Sequence, residues 1–241
     1  MISSLDYNHG LSLSAKSINI VVVSDTHVNN MKELPHKLLR FFHRADLIIH
    51  LGDYISPELL KEFKGLGNFR GIIGNHDSLI SPRELKTIDV FEIGGKRLGL
   101  IHGLSSPLAM LKRIRALFKK YHVDIILYGH NHLAFNSILD GILYLNPGTV
   151  TNQFPSTYGS FGIVSIANDG TIISEIIPLV SSTYVQFSRR QRFIAALVRF
   201  GIRCLVSLPY PNLNNLPDRF RTIFNRQIRK SSNVVTPGHA G

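Results

Sequence analysis

Short, almost wholly apolar runs alternate with helix-spaced segments through the first third of the chain. Ile18–Ser24 (INIVVVS), Asp46–Leu51 (DLIIHL) and Phe69–Ile73 read as strands buried on both faces, as the strands of a parallel sheet are. Between them, Met31–Arg44 places Leu34, Leu38, Phe41 and Phe42 on one side of a helix. Pro57–Lys64 reads as a short helix with proline in its first turn. This β-α-β-α-β order predicts a parallel sheet covered by helices. Beyond it, Arg97–His102, Val123–Tyr128, Gly141–Leu145, Ser160–Ala167 and Thr171–Pro178 read as strands, with Asn168-Asp169-Gly170 as a hairpin turn. One strong helix, Pro107–His122, interrupts them; its lysines and arginines are read as a solvated outer face. The expected fold class is α/β: two packed mixed β-sheets flanked by helices.

The polar residues that follow these strands are specific. The predicted strands run into Ser24-Asp25-Thr26-His27, Gly52-Asp53, Gly74-Asn75-His76-Asp77, His102-Gly103 and Gly129-His130-Asn131-His132. In open α/β sheets the C-terminal strand edge is where sites form, so five such ends are expected to converge. Asp, Asn and His supply oxygen and imidazole ligands suited to manganese, iron, zinc or nickel. The pairs Asp25/His27 and His130/His132 have i, i+2 spacing, which in extended backbone puts both side chains on one side. With Asp53, Asn75 and His102 they make seven candidate ligands, too many for one tetrahedral ion and suited to two ions sharing a carboxylate.

The ordered set D-x-H, G-D, G-N-H-D, H-G, G-H-x-H resembles the calcineurin-like metallophosphoesterase superfamily. With Asn146-Pro147-Gly148-Thr149 it resembles the small YfcE-type phosphodiesterase branch, which also includes a retromer subunit that has become a scaffold. The resemblance covers roughly Ile18–Pro178. It implies a four-layer sandwich in which Asp25, His27 and His132 hold one divalent ion, Asn75, His102 and His130 hold a second, and Asp53 bridges. Manganese is the expected ion, with iron, zinc, nickel or magnesium as alternatives. His76 matches the superfamily histidine that helps the leaving oxygen depart. The implied reaction is hydrolysis of a phosphate ester, a diester first, by a hydroxide bridging the two ions. The alternatives are a phosphomonoesterase, a membrane-associated lipid pyrophosphate hydrolase, or a non-catalytic scaffold of the same fold. Gly52-Asp53-Tyr54-Ile55-Ser56 lacks the G-D-x-x-D-R-G of protein serine/threonine phosphatases. Asp77 is expected to support the ligands from behind or to cap a turn, Asn131 to be a turn residue, and His50 to be a hydrogen-bonded core residue.

Charge adds a separate point. The 241 residues carry 27 Lys+Arg against 16 Asp+Glu, a formal net charge of +11. Residues 1–181 hold 17 cations and 15 acids, a net of +2. Residues 182–241 hold 10 cations and one acid, a net of +9. The expected organisation is an extension over 1–17, a domain over 18–181, and a basic, partly apolar tail over 182–241. Within the tail, Phe193–Leu208 is apolar but broken by Arg199 and Arg203, which points to packing on its own domain or a partner subunit, or else to a membrane surface. Nucleic acid is retained as a substrate class. Met1–Ser17 has no charged start and no apolar run, so the chain is expected to be cytoplasmic, with the tail as its route to a membrane periphery. The lone cysteine, Cys204, excludes an intramolecular disulfide framework.

Overall fold

The computed structural model describes residues 17–179 apart from 104–106, 152, 154, 155 and 157. The extension through residue 16, the tail 182–241 and Cys204 lie outside the described residues. Strands β1 (Ile18–Val23), β2 (Leu47–His50) and β3 (Phe69–Gly71) form the parallel half of one sheet, linked by helices α1 (His36–Phe42) and α2 (Pro57–Gly65). Strands β4 (Ile88–Ile93) and β5 (Lys96–Ile101), helix α3 (Pro107–Phe118), and strands β6 (Ile125–Tyr128), β7 (Phe135–Leu139) and β8 (Ile142–Asn146) build the other. β9 (Gly159–Ile166) and β10 (Ile172–Leu179) then return to the first. The strand orders are β10-β9-β1-β2-β3 and β4-β5-β6-β8-β7. β1, β2 and β3 are mutually parallel, as are β5, β6 and β8. Both sheets are mixed, as expected.

Burial sets the layers. Ile20, Val22, Ile49 and Leu51 of the first sheet face Leu98, Leu100, Ile125, Leu127 and Leu145 of the second in a dry seam. The alternate residues Val21, Val23 and Ile48 pack outward against Leu38 and Phe42 of α1 and Leu59 and Phe63 of α2. On the far side Ile126 and Tyr128 pack beneath Met110, Ile114 and Phe118 of α3. Strands covered on both faces can be apolar throughout, which is why β1 and β6 read as continuous hydrophobic runs.

Four elements depart from expectation. The segment Met31–Arg44 is two pieces, a 3-10 turn at Met31–Glu33 and α1, because Pro35 lacks an N–H and pushes Leu34 to extended backbone at ψ 147°. The helix from Pro107 ends at Phe118 and continues as a 3-10 turn, Lys119–Tyr121, before His122 adopts left-handed backbone at φ 49°. β4 and β7 are edge strands that apolar periodicity does not reveal. The signal that finds them is the turn that follows each: Gly94-Gly95 and Asp140-Gly141 have positive φ at both residues, the mirror-image turn of a two-residue hairpin. The hairpin at Asn168-Asp169-Gly170 is where expected, closed by the Ala167 N–H on the Thr171 carbonyl. No helix among the described residues is long and apolar enough to cross a membrane.

Candidate metal centre

Each candidate ligand follows the C-terminal end of a parallel strand: Asp25 and His27 after β1, Asp53 after β2, Asn75 after β3, His102 after β5, and His130 and His132 after β6. The two sheets therefore deliver all seven to one edge. The loops are zipped to one another there: Asp25 N–H donates to the Gly52 carbonyl at 3.0 Å and His27 N–H to the Asp53 carbonyl at 3.2 Å.

The i, i+2 pairs share a side, but not by the extended geometry expected. β1 stops at Val23, and Asp25 (φ 52°), His27 (φ 48°), His130 (φ 77°) and His132 (φ 58°) all lie in the left-handed region, as does Asp53 (φ 62°). Among the described residues eight non-glycine residues have positive φ, and five of them are candidate ligands. Such backbone costs of order 1–3 kcal/mol per residue and persists only where the surroundings over-determine it. Tight left-handed turns re-aim successive side chains into one space, which a straight strand does not do.

The ligand atoms are close and incompletely paired. Asp25 Oδ1 is 3.3 Å from His132 Nε2, 3.9 Å from His102 Nε2 and 4.0 Å from His27 Nε2. Asp53 Oδ2 is 3.4 Å from His102 Nε2 and 3.7 Å from His27 Nε2. Two triads, Asp25/His27/His132 and Asp25/Asp53/His102, keep their ligand atoms within 4.8 Å of one another. Asn75 Oδ1 lies 3.0 Å from His102 Nε2 and 2.8 Å from His130 Nδ1, which joins Asn75 and His130 to the second group. Asp53 Oδ2 stands between a nitrogen of each group, and Asp25 Oδ1 is as central. His76 is exposed at the rim, its ring edge-on to His27 at 5.5 Å and its backbone N–H donating to Asp53 Oδ1 at 2.9 Å.

The donor set fits divalent ions. Asp25 Oδ1 and His27 Nε2 are buried without a hydrogen-bond partner among the described residues, a cost that a cation between them removes. The space is also cleared: a Cβ at Gly74 would overlap Asp53 Oδ1, so only glycine lets the third strand end approach that carboxylate. Charge agrees. Burial pushes the Asp25 and Asp53 carboxyls up, but His132, His102 and the other donors around them outweigh it and hold both below the usual carboxylate range. Burial holds the His27 and His130 rings below their ordinary value, so they are neutral and able to ligate. His102 is the exception: burial favours its neutral form, yet Asp53 and Asp25 push it up to about 8. Its Nδ1 lies 2.6 Å from the Leu51 carbonyl, an outer hydrogen bond that orients Nε2 toward the site.

The model of the calcineurin-like phosphoesterase superfamily domain matches residues 18–169. The chain belongs to this superfamily. Among its relatives is a probable metallophosphoesterase of Methanocaldococcus jannaschii, 37% identical over 134 residues that cover 55% of this chain and 68% of that protein. A phosphodiesterase of the same organism is 29% identical over 147 residues, covering 54% of this chain and 83% of the relative. The solved structure of vacuolar protein sorting 29 from Cryptosporidium parvum superimposes with a TM-score of 0.56 at 21% identity, over 69% of this chain and all of that one. That likeness is one of fold.

Behind the ligands of this phosphoesterase domain stands a layer that the sequence disclosed in part. Asp77, 1% exposed, accepts N–H bonds from Asp53 (2.8 Å) and Gly74 (2.7 Å) on Oδ2 and from Ile55 (2.9 Å) on Oδ1. Asn131 is more than a turn residue. Its Oδ1 accepts from Leu133 N–H at 3.0 Å and from Asn146 Nδ2 at 2.8 Å, and Asn146 Nδ2 also reaches the Gly129 carbonyl, so the two asparagines brace the His130–His132 turn. Thr149 Oγ1 donates to the Asp25 carbonyl at 2.8 Å, and Ser24 Oγ to Asp25 Oδ2 at 2.5 Å. His50 is in the core as expected: Nδ1 accepts from Gly52 N–H, Nε2 faces Thr26 Oγ1 at 3.0 Å, and the ring stacks on Tyr54 at 3.7 Å. Asn146 and Thr149 carried no individual role in the sequence, because the site residues that they brace are more than ten residues away in the chain.

Proposed function

We propose that this protein is a dinuclear metal-dependent phosphoesterase that hydrolyses phosphodiesters, with manganese as the working ion. The observation that carries the reading is the convergence of Asp25, His27, Asp53, His102 and His132 with two buried ligand atoms left unpartnered. Asp25, His27 and His132 would hold one ion, Asn75, His102 and His130 the other, and Asp53 would serve both. Bound there, two divalent ions supply charge neutralisation for a phosphate ester and a water acidic enough to attack near neutral pH.

The chain's own groups do the rest. The nearest hydroxyls are already committed, Ser24 to Asp25 and Thr26 to His50 and the Asp53 carbonyl, and both residues are buried, so the attacking oxygen comes from water. Exposed His76 stands at the rim beside His27, where its imidazole gives a proton to the departing ester oxygen. The backbone bond from His76 to Asp53 fixes the distance between that proton and the ligands. Diester preference is supported by the phosphodiesterase name of one relative. A scaffold role draws no support from the ligand positions, all seven of which keep a metal-binding residue type.

One panel tests the reading: metal content, then hydrolysis of an aryl phosphodiester and the matching monoester with added manganese, for wild type and Asp53→Ala. The expected result is a metal-containing wild type that prefers the diester and a variant that loses both ion and activity. An active Asp53→Ala overturns the site, and a metal-free, inactive wild type overturns the enzyme.

A further inference from the structure

The outer face of α3 carries a second feature that the reaction does not use. From Pro107 to Tyr121 the chain has five cations, Lys112, Arg113, Arg115, Lys119 and Lys120, and no acid. The apolar side of α3 is spent inside the domain, where Met110, Ile114 and Phe118 are buried in the outer core. What remains outward is cationic: all five basic residues are exposed. Beside the end of α3 lies an open groove of about 630 Å³. Lys112, Arg115 and Lys119 line its rim, and Phe118, Ile126 and Ile142 its floor. The acid in the groove, Asp140 on the β7–β8 turn, is paired with Arg115. Lys112 and Lys119 have no acidic partner among the described residues.

We propose that the outer face of α3 and this groove form a docking surface for an anionic phospholipid bilayer. The charge pattern selects the occupant. A lipid phosphate satisfies the unpaired rim lysines, while the first carbons below the headgroup match the apolar floor. A nucleic acid would meet a floor of Phe118, Ile126 and Ile142 that offers its bases no hydrogen-bond partner. Because the helix's apolar side is already buried in the protein, attachment is adsorption of the cationic face rather than insertion of the helix. It is therefore sensitive to salt.

The topology gives the docked protein an orientation. β6 starts at Ile125 beside the groove and runs to Tyr128, after which His130 and His132 follow at the other edge. Because α3 crosses between parallel β5 and β6, a domain lying on its α3 face has β6 along the bilayer and the metal ligands at one side of the domain.

The test is co-flotation of the full chain with phosphatidylcholine vesicles containing or lacking one quarter phosphatidylglycerol, for wild type and the double variant Lys112→Gln/Lys119→Gln. Each cation near an anionic surface contributes about fivefold to binding, so the double variant should bind the anionic vesicles about 30-fold more weakly. Its melting temperature and aryl-phosphodiester hydrolysis should stay at wild-type values, since both lysines are exposed and neither belongs to the candidate ligand set. A drop of that size, with binding abolished on lipid lacking phosphatidylglycerol, supports the docking surface. Equal binding by variant and wild type overturns it, as does wild-type binding that ignores the anionic lipid. Tighter binding to a single-stranded oligonucleotide than to vesicles, lost in the same variant, would reassign the face to nucleic acid. The vesicle-binding readouts need no bound metal, so the proposal stands or falls apart from the catalytic reading.

Discussion

Asp77 touches no candidate ligand atom, yet it fixes the segment that presents Asp53. Its carboxylate takes three backbone N–H groups, from Asp53, Gly74 and Ile55. Two of those residues are strained: Asp53 has φ 62°, and Ile55, a β-branched residue, has φ 67°. The informative change is Asp77→Asn, which keeps the shape and one acceptor. If the amide oxygen takes the place of Oδ2, the bonds from Asp53 and Gly74 survive in weaker, neutral form, and the Ile55 N–H faces an amide nitrogen. One buried donor left unpaired costs about 1–3 kcal/mol. Losing the charge on the other two bonds brings the expected destabilisation to about 2–4 kcal/mol. Relaxation of the strained segment then moves Asp53 Oδ2 from its place 3.4 Å from His102 and 3.7 Å from His27. Loss of an outer partner of this kind lowers metal affinity about 10–100-fold. Denaturant unfolding of the metal-free protein reads the first quantity, and calorimetric titration with manganese reads the second. Saturating manganese should restore much of the hydrolysis, which an unfolded variant would not allow. Destabilisation below about 0.5 kcal/mol together with unchanged manganese affinity would refute the clamp, since that is the range of a neutral surface change.

Three further outcomes follow from the site. His76→Ala should keep its manganese but lose about 10²–10⁴-fold in rate with an alkyl leaving group, and less with an acidic aryl one that needs no proton; equal losses on both would remove the proton-donor role. His50 is fully buried and held to about 3, so between about pH 6.5 and pH 3 the unfolded chain takes a proton that the folded one refuses. Stability should therefore fall as pH drops through that window, by up to about 1.4 kcal/mol per pH unit from this group, and His50→Gln should lack that component in urea unfolding at stepped pH. Removing metal with a chelator should lower the melting temperature by about 5–10 °C relative to protein in manganese at 100 times its dissociation constant. An unchanged melting temperature would mean that no ion fills the gap at Asp25 Oδ1.

The sequence by itself determined which residues are candidate ligands and the frame that carries them. A strand covered on both faces must be apolar throughout, so β1, β2 and β6 announce themselves, and the Asp, Asn and His residues that break those runs stand out at their ends. Strands β4 and β7 were hidden because Asp89 and Glu92 interrupt the one and Asn136 and Ser137 the other, so neither has a continuous apolar run; only Gly94-Gly95 and Asp140-Gly141 marked them. Tertiary structure alone decided how the ligands face one another. The left-handed backbone at Asp25, His27, Asp53, His130 and His132 is a strained state that Asp and His tolerate better than most residues but that local sequence does not impose, held by bonds from Asp77, Asn131, Asn146 and Thr149. Apart from the bond between Leu133 and Asn131, they join distant parts of the chain; Thr149 and Asp25, for example, are 124 residues apart. Burial is written locally because each residue carries its own hydrophobicity, whereas a hydrogen bond needs two partners, and only the fold brings the second one into reach.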